Sequence, residues 1–267
     1  MNRARGAPSR QRGFKEKAVP VKDEISITRL PTARDLSRAA ADLILESALN
    51  HVRSDGRFTL ALSGGSTPRP THRLLAEEPH VSAMPWRDTF VFWVDERCVP
   101  PGHPASNYGN AVEDFIQHVP LEARNVFPMP TVSPAASGAS RYEAQLREFF
   151  GLPPGAVPRF DLVVLGLGTD GHTASLFPGD PSLEDRERLV LAVHGGTPPV
   201  DRLTLTLPVL NNSGEAVFLV SGGEKAGVVR AALEDRDFTL PAARVAPGKI
   251  QWLLDCEAAS GLSKPLF

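Results

Sequence analysis

The sequence predicts an α/β protein with a mainly parallel sheet covered on both faces by helices. Three observations carry that prediction. Short, almost wholly apolar runs such as Phe58–Leu62, Thr89–Val94, Phe160–Leu165 and Ala216–Val220 have the length and residue types of strands buried on both sides. Stretches of helical periodicity alternate with them, as β–α–β connections require. Several runs end in Gly, Ser, Asp or charged residues, which gathers polar groups at the rim where open α/β sheets bind ligands.

In chain order, residues 1–22 hold seven Lys/Arg against Glu16 alone and few apolar side chains, so they read as a disordered basic extension. Residues 23–267 read as one α/β domain, with the fold starting near Ile25. Thr32 and Asp35 resemble a capping box, followed by Leu36, Ala40, Leu43, Ile44 and Ser47 at helical spacing, and Ser54-Asp55-Gly56 ends that helix. The strand Phe58–Leu62 runs directly into Ser63-Gly64-Gly65-Ser66-Thr67, and Pro68 suits the first turn of the next helix, where a missing N–H costs nothing. Thr89–Val94 is a strand ending in Asp95-Glu96-Arg97. A long Pro- and Gly-rich loop leads to Asn107, the expected cap of a helix through Phe115 and Ile116; loops of this length tend to be functional. Pro128–Gly138 reads as a connection, Arg141–Phe150 as a helix and Phe160–Leu165 as a strand. Leu189–Val193, Leu203–Leu207 and Ala216–Val220 follow as strands. The last enters Ser221-Gly222-Gly223-Glu224-Lys225 and a helix to Leu233, before a final strand at Ile250–Leu254 and a short helical tail.

Composition excludes several classes. With 42% hydrophobic and 22% charged residues the chain is an ordinary soluble one. No apolar run approaches the ~20 residues of a membrane span. The basic head lacks the apolar region of a secretory signal. Its Arg content fits a transit peptide, but one serine and no amphipathic stripe make targeting the lesser reading. The net charge is −2, so with +6 in residues 1–22 the remainder carries −8, which argues against nucleic-acid binding by the folded body. Cys98 and Cys256 lie far apart in no metal or redox spacing and read as reduced thiols of a cytoplasmic protein.

The chemistry centres on Gly166-Leu167-Gly168-Thr169-Asp170-Gly171-His172, where three glycines let the backbone turn sharply and approach a ligand. His172 has two readings, a general base or a structural loop histidine; Asp170 would orient it or bind a substrate hydroxyl. Ser63, Gly64, Gly65, Ser66 and Thr67 combine backbone N–H groups, two hydroxyls and a helix N-terminus, a set suited to a phosphate monoester. Ser221–Lys225 repeats the device and adds an ammonium. The two loops, with Arg97 and Arg202, would hold one phosphate; the plain alternative is two ordinary Gly turns. Asp95 and Glu96 are candidate sugar-hydroxyl ligands or loop carboxylates neutralised by Arg97. Cys98 reads as a packing cysteine, with a lowered-pKa thiol as the alternative. The other six histidines show no ligand spacing, so no metal or other cofactor is expected. Gly166-x-Gly168-x-x-Gly171 matches the dinucleotide fingerprint, but Pro178 interrupts the helix that should follow, which rejects NAD. Ala61-Leu62-Ser63-Gly64-Gly65 approximates a nucleophile elbow, yet the histidine comes too early for that fold, leaving a serine hydrolase as an outside possibility.

The chain resembles the 6-phosphogluconolactonases. The matching segments are Ala61–Pro68, Trp93–Pro100, Ser106-Asn107-Tyr108, Phe160–Pro178, Arg202–Thr206, Gly222–Lys225 and Trp252–Asp255, in that order. The resemblance implies a three-layer α/β/α fold with a Rossmann-like sheet. It also implies metal-free hydrolysis of 6-phospho-D-glucono-1,5-lactone, a step of the pentose phosphate pathway. Carried over by position, His172 would activate water, with Asp170 in the same signature. The Ser63–Thr67 loop, Arg97, Arg202 and Lys225 would hold phosphate or polarise the lactone. The related glucosamine-6-phosphate deaminases place a glutamate five residues after the histidine; Phe177 stands there in this chain and cannot assist proton transfer. A non-catalytic sugar-phosphate binder is a third reading. The expected partner is a small sugar-phosphate lactone, with no nucleic acid or membrane, and the expected state a monomer or weak homo-oligomer.

Overall fold

The computed structural model describes residues 24–131 and 134–263. The basic head, with its expected disorder over 1–22, lies outside the described residues. From Glu24 onward the chain forms β1 (Glu24–Leu30), α1 (Ala33–Asp55), β2 (Phe58–Leu62), α2 (Pro68–Leu75), a single turn α3 (His80–Ala83), β3 (Thr89–Trp93), β4 (Asp95–Arg97), α4 (Asn107–Asp114) and β5 (Val126–Phe127). It continues with α5 (Ala135–Phe150), β6 (Leu162–Leu165), β7 (Val190–Gly195), β8 (Val200–Leu205), α6 (Leu207–Asn211), β9 (Glu215–Val220), α7 (Ala226–Leu233) and β10 (Lys249–Asp255).

Seven strands form one sheet in the order β1-β10-β9-β6-β2-β3-β5, with every neighbouring pair parallel. Helices flank it, giving the three-layer α/β/α fold. Every residue of β2 and β6 is buried, which is why these strands read as unbroken apolar runs. From β2 the chain steps outward through β3 to β5, then returns to place β6 on the other side of β2 and steps outward again through β9 and β10. The order therefore reverses between β2 and β6. At such a switch point the loops after two adjacent strands diverge and leave a crevice.

Local signals account for the helix ends. Thr32 Oγ1 accepts from the Asp35 N–H at 3.2 Å and donates to the Asp35 carboxylate at 2.7 Å, and Gly56 closes α1 in the left-handed conformation. Pro68 occupies the first position of α2.

Four expectations need correction. The runs near 190 and 203 do not join the parallel sheet; β7 and β8 pair antiparallel and, with β4, form a second sheet in the order β4-β8-β7. The link from Gly196 to Pro199 is too short for a crossover helix and permits only a hairpin. Asp95-Glu96-Arg97, expected as the end of the Thr89–Val94 strand, is a separate strand, β4, of this second sheet. Ser106, not Asn107, caps α4, its hydroxyl accepting from the Gly109 N–H at 3.0 Å, and the helix ends at Asp114 before a 3-10 turn at Ile116–His118. Helix α5 starts at Ala135, inside the expected connection, because the Ala-rich stretch there propagates helix.

Candidate active site

The switch point brings the segment after β2 beside the segment after β6, and the Ser63 N–H donates to the Val164 carbonyl at 3.1 Å. The turn after β6 closes on itself through Gly168 N–H to His172 O at 2.8 Å and Gly171 N–H to Gly168 O at 3.0 Å. This packs the His172 ring against Gly168, where any Cβ would collide with the imidazole and with the Asp170 carboxylate.

Asp170 Oδ1 accepts from both the His172 backbone N–H at 3.1 Å and ring Nδ1 at 2.5 Å. Burial works against the Asp170 charge, but the His172 N–H and the imidazole's charge and hydrogen bond outweigh it, holding the carboxyl below its usual range. An ionised carboxylate only accepts, so Nδ1 carries a proton, and in the neutral ring the lone pair is on Nε2. The half-exposed ring faces a cavity of about 190 Å³, room for one small polar molecule.

The opposite wall is the loop Ser63, Gly64, Gly65, Ser66 and Thr67. The second sheet supplies Asp95, Arg97 and Arg202. Arg97 and Arg202 are direct partners across β4 and β8. Like charges placed opposite each other oppose pairing, and an anion between them relieves the repulsion. Arg202 is buried, donates from Nε to the Gly195 carbonyl at 3.0 Å and from Nη1 to Ser175 Oγ at 3.4 Å, and lies over the Phe177 ring at 5.6 Å. Burial and then the Arg97 charge lower its pKa, with Asp95 opposing. The Phe177 centroid is also 5.0 Å from that of His172, so one apolar ring lies beside both the imidazole and this cation. Lys225 reaches in from the turn before α7 and donates to the Leu167 carbonyl; burial lowers its pKa against the pull of Glu224 and Asp170.

His172, the Ser63–Thr67 loop, Asp95, Arg97, Arg202 and Lys225 thus line one cavity, and Asp170 stands behind His172. Two readings change. Ser221-Gly222-Gly223 does not face a ligand: Asp255 fills it, accepting from Ser221 Oγ at 2.5 Å and from the Gly222 N–H at 3.1 Å. Only Lys225 of that loop reaches the cavity. Glu96 is buried and accepts from the N–H groups of Arg97, Asn107 and Tyr108, each at 2.8 Å, so it fixes the start of α4 and is closed to a sugar. The packing reading of Cys98 fits the structure: burial first, then the charges of Asp201 and Glu96, push its thiol up to about 11, the opposite of the activated-thiol alternative.

The sequence reading missed Asn107 and Ser175 as parts of the site. Ser175 Oγ donates to Asp95 Oδ2 at 2.6 Å and Asn107 Nδ2 lies 3.3 Å from Asp95 Oδ1. Asp95 therefore links the turn after β6 to the start of α4. Among the described residues no group of three or more His, Cys, Asp or Glu is arranged to hold a metal ion.

The family model described as glucosamine-6-phosphate isomerases/6-phosphogluconolactonase matches residues 31–254. The 6-phosphogluconolactonase of Nostoc sp. is 38% identical over 239 residues, covering 88% of this chain and 97% of its own length. That of Rattus norvegicus is 38% identical over 256 residues, covering 93% and 97%. Among solved structures, 6-phosphogluconolactonase from Trypanosoma brucei superposes with a TM-score of 0.80 at 32% identity, over 91% of this chain and 100% of that one. A monomeric glucosamine-6-phosphate deaminase shares the fold at a TM-score of 0.75 and 23% identity, over 88% of this chain and 99% of its own.

Proposed function

Because the chain belongs to the glucosamine-6-phosphate isomerase/6-phosphogluconolactonase family and is an enzyme of the lactone-hydrolase type, we propose that it converts 6-phospho-D-glucono-1,5-lactone to 6-phospho-D-gluconate by a metal-free step. His172 Nε2 takes a proton from water, and the hydroxide attacks the lactone carbonyl. The tetrahedral intermediate collapses with cleavage of the bond to the ring oxygen, which takes the proton back from the imidazolium. Asp170 keeps the ring in the required tautomer and stabilises the imidazolium. The Ser63–Thr67 loop, Arg97, Arg202 and Lys225 share the phosphate and the oxyanion between them. Asp95 holds this donor set in register.

One observation carries the reading: a His–Asp pair after β6 faces an open, cation-flanked loop after β2 across the switch point. A donor set of guanidinium, ammonium, hydroxyl and backbone N–H groups suits a phosphorylated lactone without a Lewis acid. The reading includes a cytoplasmic location, supported by two free thiols, and a monomer or weak homo-oligomer.

The test presents freshly made 6-phosphoglucono-1,5-lactone and follows acid release. Turnover well above spontaneous ring opening is expected. A rate equal to the spontaneous one, with tight 6-phosphogluconate binding, would indicate a non-catalytic binder, and ammonia release from glucosamine 6-phosphate would replace this activity with deamination.

A further inference from the structure

The Ser63–Thr67 loop and the second sheet meet at one side chain, Asn107, the first residue of α4 and 3% exposed. Its Nδ2 donates to the Asp95 backbone carbonyl at 2.9 Å and lies 3.3 Å from Asp95 Oδ1. Both partners are acceptors, so the NH2 edge must face Asp95 and the carbonyl edge must face away. That edge lies against Gly64: a Cβ there would collide with the carboxamide oxygen and carbon. Asn107 Oδ1 is buried with no hydrogen-bond partner among the described residues, and so are Ser63 Oγ of the loop and Arg97 Nε, whose residues line the same cavity. Asp95 accounts for the NH2 edge. A buried acceptor left open is unfavourable, so the carbonyl edge against Gly64 is the part of this side chain that calls for a role.

We propose that Asn107 is a positioning residue for the anion-binding loop. Its NH2 edge is anchored on Asp95, and its carbonyl edge abuts Gly64 and sets the direction in which the loop's N–H groups meet a phosphoryl group. Gly64 is small because the carboxamide occupies the space of its Cβ. The inference rests on the reading that this loop takes the substrate's phosphate.

A double-mutant cycle tests it with Asn107→Ala, Gly64→Ala and the pair, each assayed with 6-phosphoglucono-1,5-lactone, with unphosphorylated glucono-1,5-lactone and for 6-phosphogluconate affinity. Asn107→Ala should raise KM for the phosphorylated lactone roughly tenfold or more, the scale of one lost charge-assisted contact. Its effect on kcat and on the unphosphorylated reaction should be clearly smaller than its effect on KM for the phosphorylated lactone. Gly64→Ala should weaken 6-phosphogluconate binding more in the wild type than in the Asn107→Ala background, because the second change removes the group it strikes. The isosteric Asn107→Asp, which keeps the shape but points charge at Asp95 and the anion, should show the same KM effect if the alanine variant folds poorly. Equal losses on both lactones, or a Gly64→Ala penalty identical in both backgrounds, would overturn the proposal. Were the wild type inactive on the lactone, the proposed activity would fail, yet the cycle would still be decided by 6-phosphogluconate affinity.

Discussion

The tripeptide Ser-Gly-Gly occurs twice, each time directly after an interior strand of the parallel sheet, and the two copies have different surroundings. Ser63-Gly64-Gly65 follows β2 and opens on the cavity, with Ser63 Oγ lacking a partner among the described residues. Ser221-Gly222-Gly223 follows β9 and is closed by Asp255. The neighbouring strands decide the difference. Beside β9 runs β10 in a register that pairs Val220 with Leu254, so the next residue, Asp255, arrives beside Ser221 with its carboxylate. Beside β2 the registers bring Leu165 and Val94 level with Ser63, neither of which carries an anion, and Asp95 turns away into the second sheet. The same loop chemistry is structural where the protein supplies the anion and available to a ligand where it does not.

The largest effect that sharpens this contrast is on the filled loop. Asp255→Ala leaves Ser221, Gly222 and Ala258 donors without their acceptor in a buried place and should cost about 3 kcal/mol of stability. Asp255→Asn, which retains one acceptor oxygen, should cost about half as much. Urea unfolding measures both; a midpoint unchanged by the alanine variant would break the contrast.

The helices behind the loops also differ. Helix α7 buries Val229 and Ala232, whereas α2 buries His72, whose ring nitrogens both lack partners among the described residues. Burial pushes His72 down to about 4, with Asp114 opposing and Arg69 and Arg73 assisting. In the unfolded chain His72 takes its proton near its ordinary value of 6.5, so between 6.5 and about 4 the unfolded state binds more protons. The His72 contribution is therefore complete above pH 6.5 and declines by about 3 kcal/mol as pH falls to about 4. His72→Leu should flatten that part of the stability–pH curve; an unaltered slope would show that His72 is not the group responsible.

A third, slightly smaller effect belongs to the open loop. At a hundredfold excess over Kd, 6-phosphogluconate should stabilise the wild type by about 2.7 kcal/mol, and Asp255→Asn should keep that increment because its anion site is separate. The smallest change expected is from Ser175→Ala, which removes one hydrogen bond to Asp95 and should cost about 1 kcal/mol of stability, with a loss of lactone turnover that Ser175→Thr does not repair in the packed site.

The interior strands were legible because burial on both faces demands apolar residues at every position, as in Leu162–Leu165. Strand β1 was less so, since it lies at the sheet edge and alternates polar with apolar residues. The second sheet was not legible as a sheet: β7 and β8 have the composition of any buried strand, and only the short link between them dictates antiparallel pairing. Asp95-Glu96-Arg97 is too polar and short to read as a strand without its partner Arg202-Leu203-Thr204. His172, Asp170 and the Ser63–Thr67 loop stood out because glycine-rich strand ends are local signals. The closure of the second loop depends on a carboxylate 34 residues away, and the contact of Asn107 with Gly64 on the packing of a helix start against a turn. Neither is written in any one segment.

The most direct measurement compares wild type and His172→Asn in acid release from 6-phosphoglucono-1,5-lactone, with 6-phosphogluconate affinity and thermal unfolding followed on the same samples. The account predicts a fall in kcat of about 10²–10⁴-fold with binding and unfolding midpoint retained. A variant that turns over at the wild-type rate would contradict it.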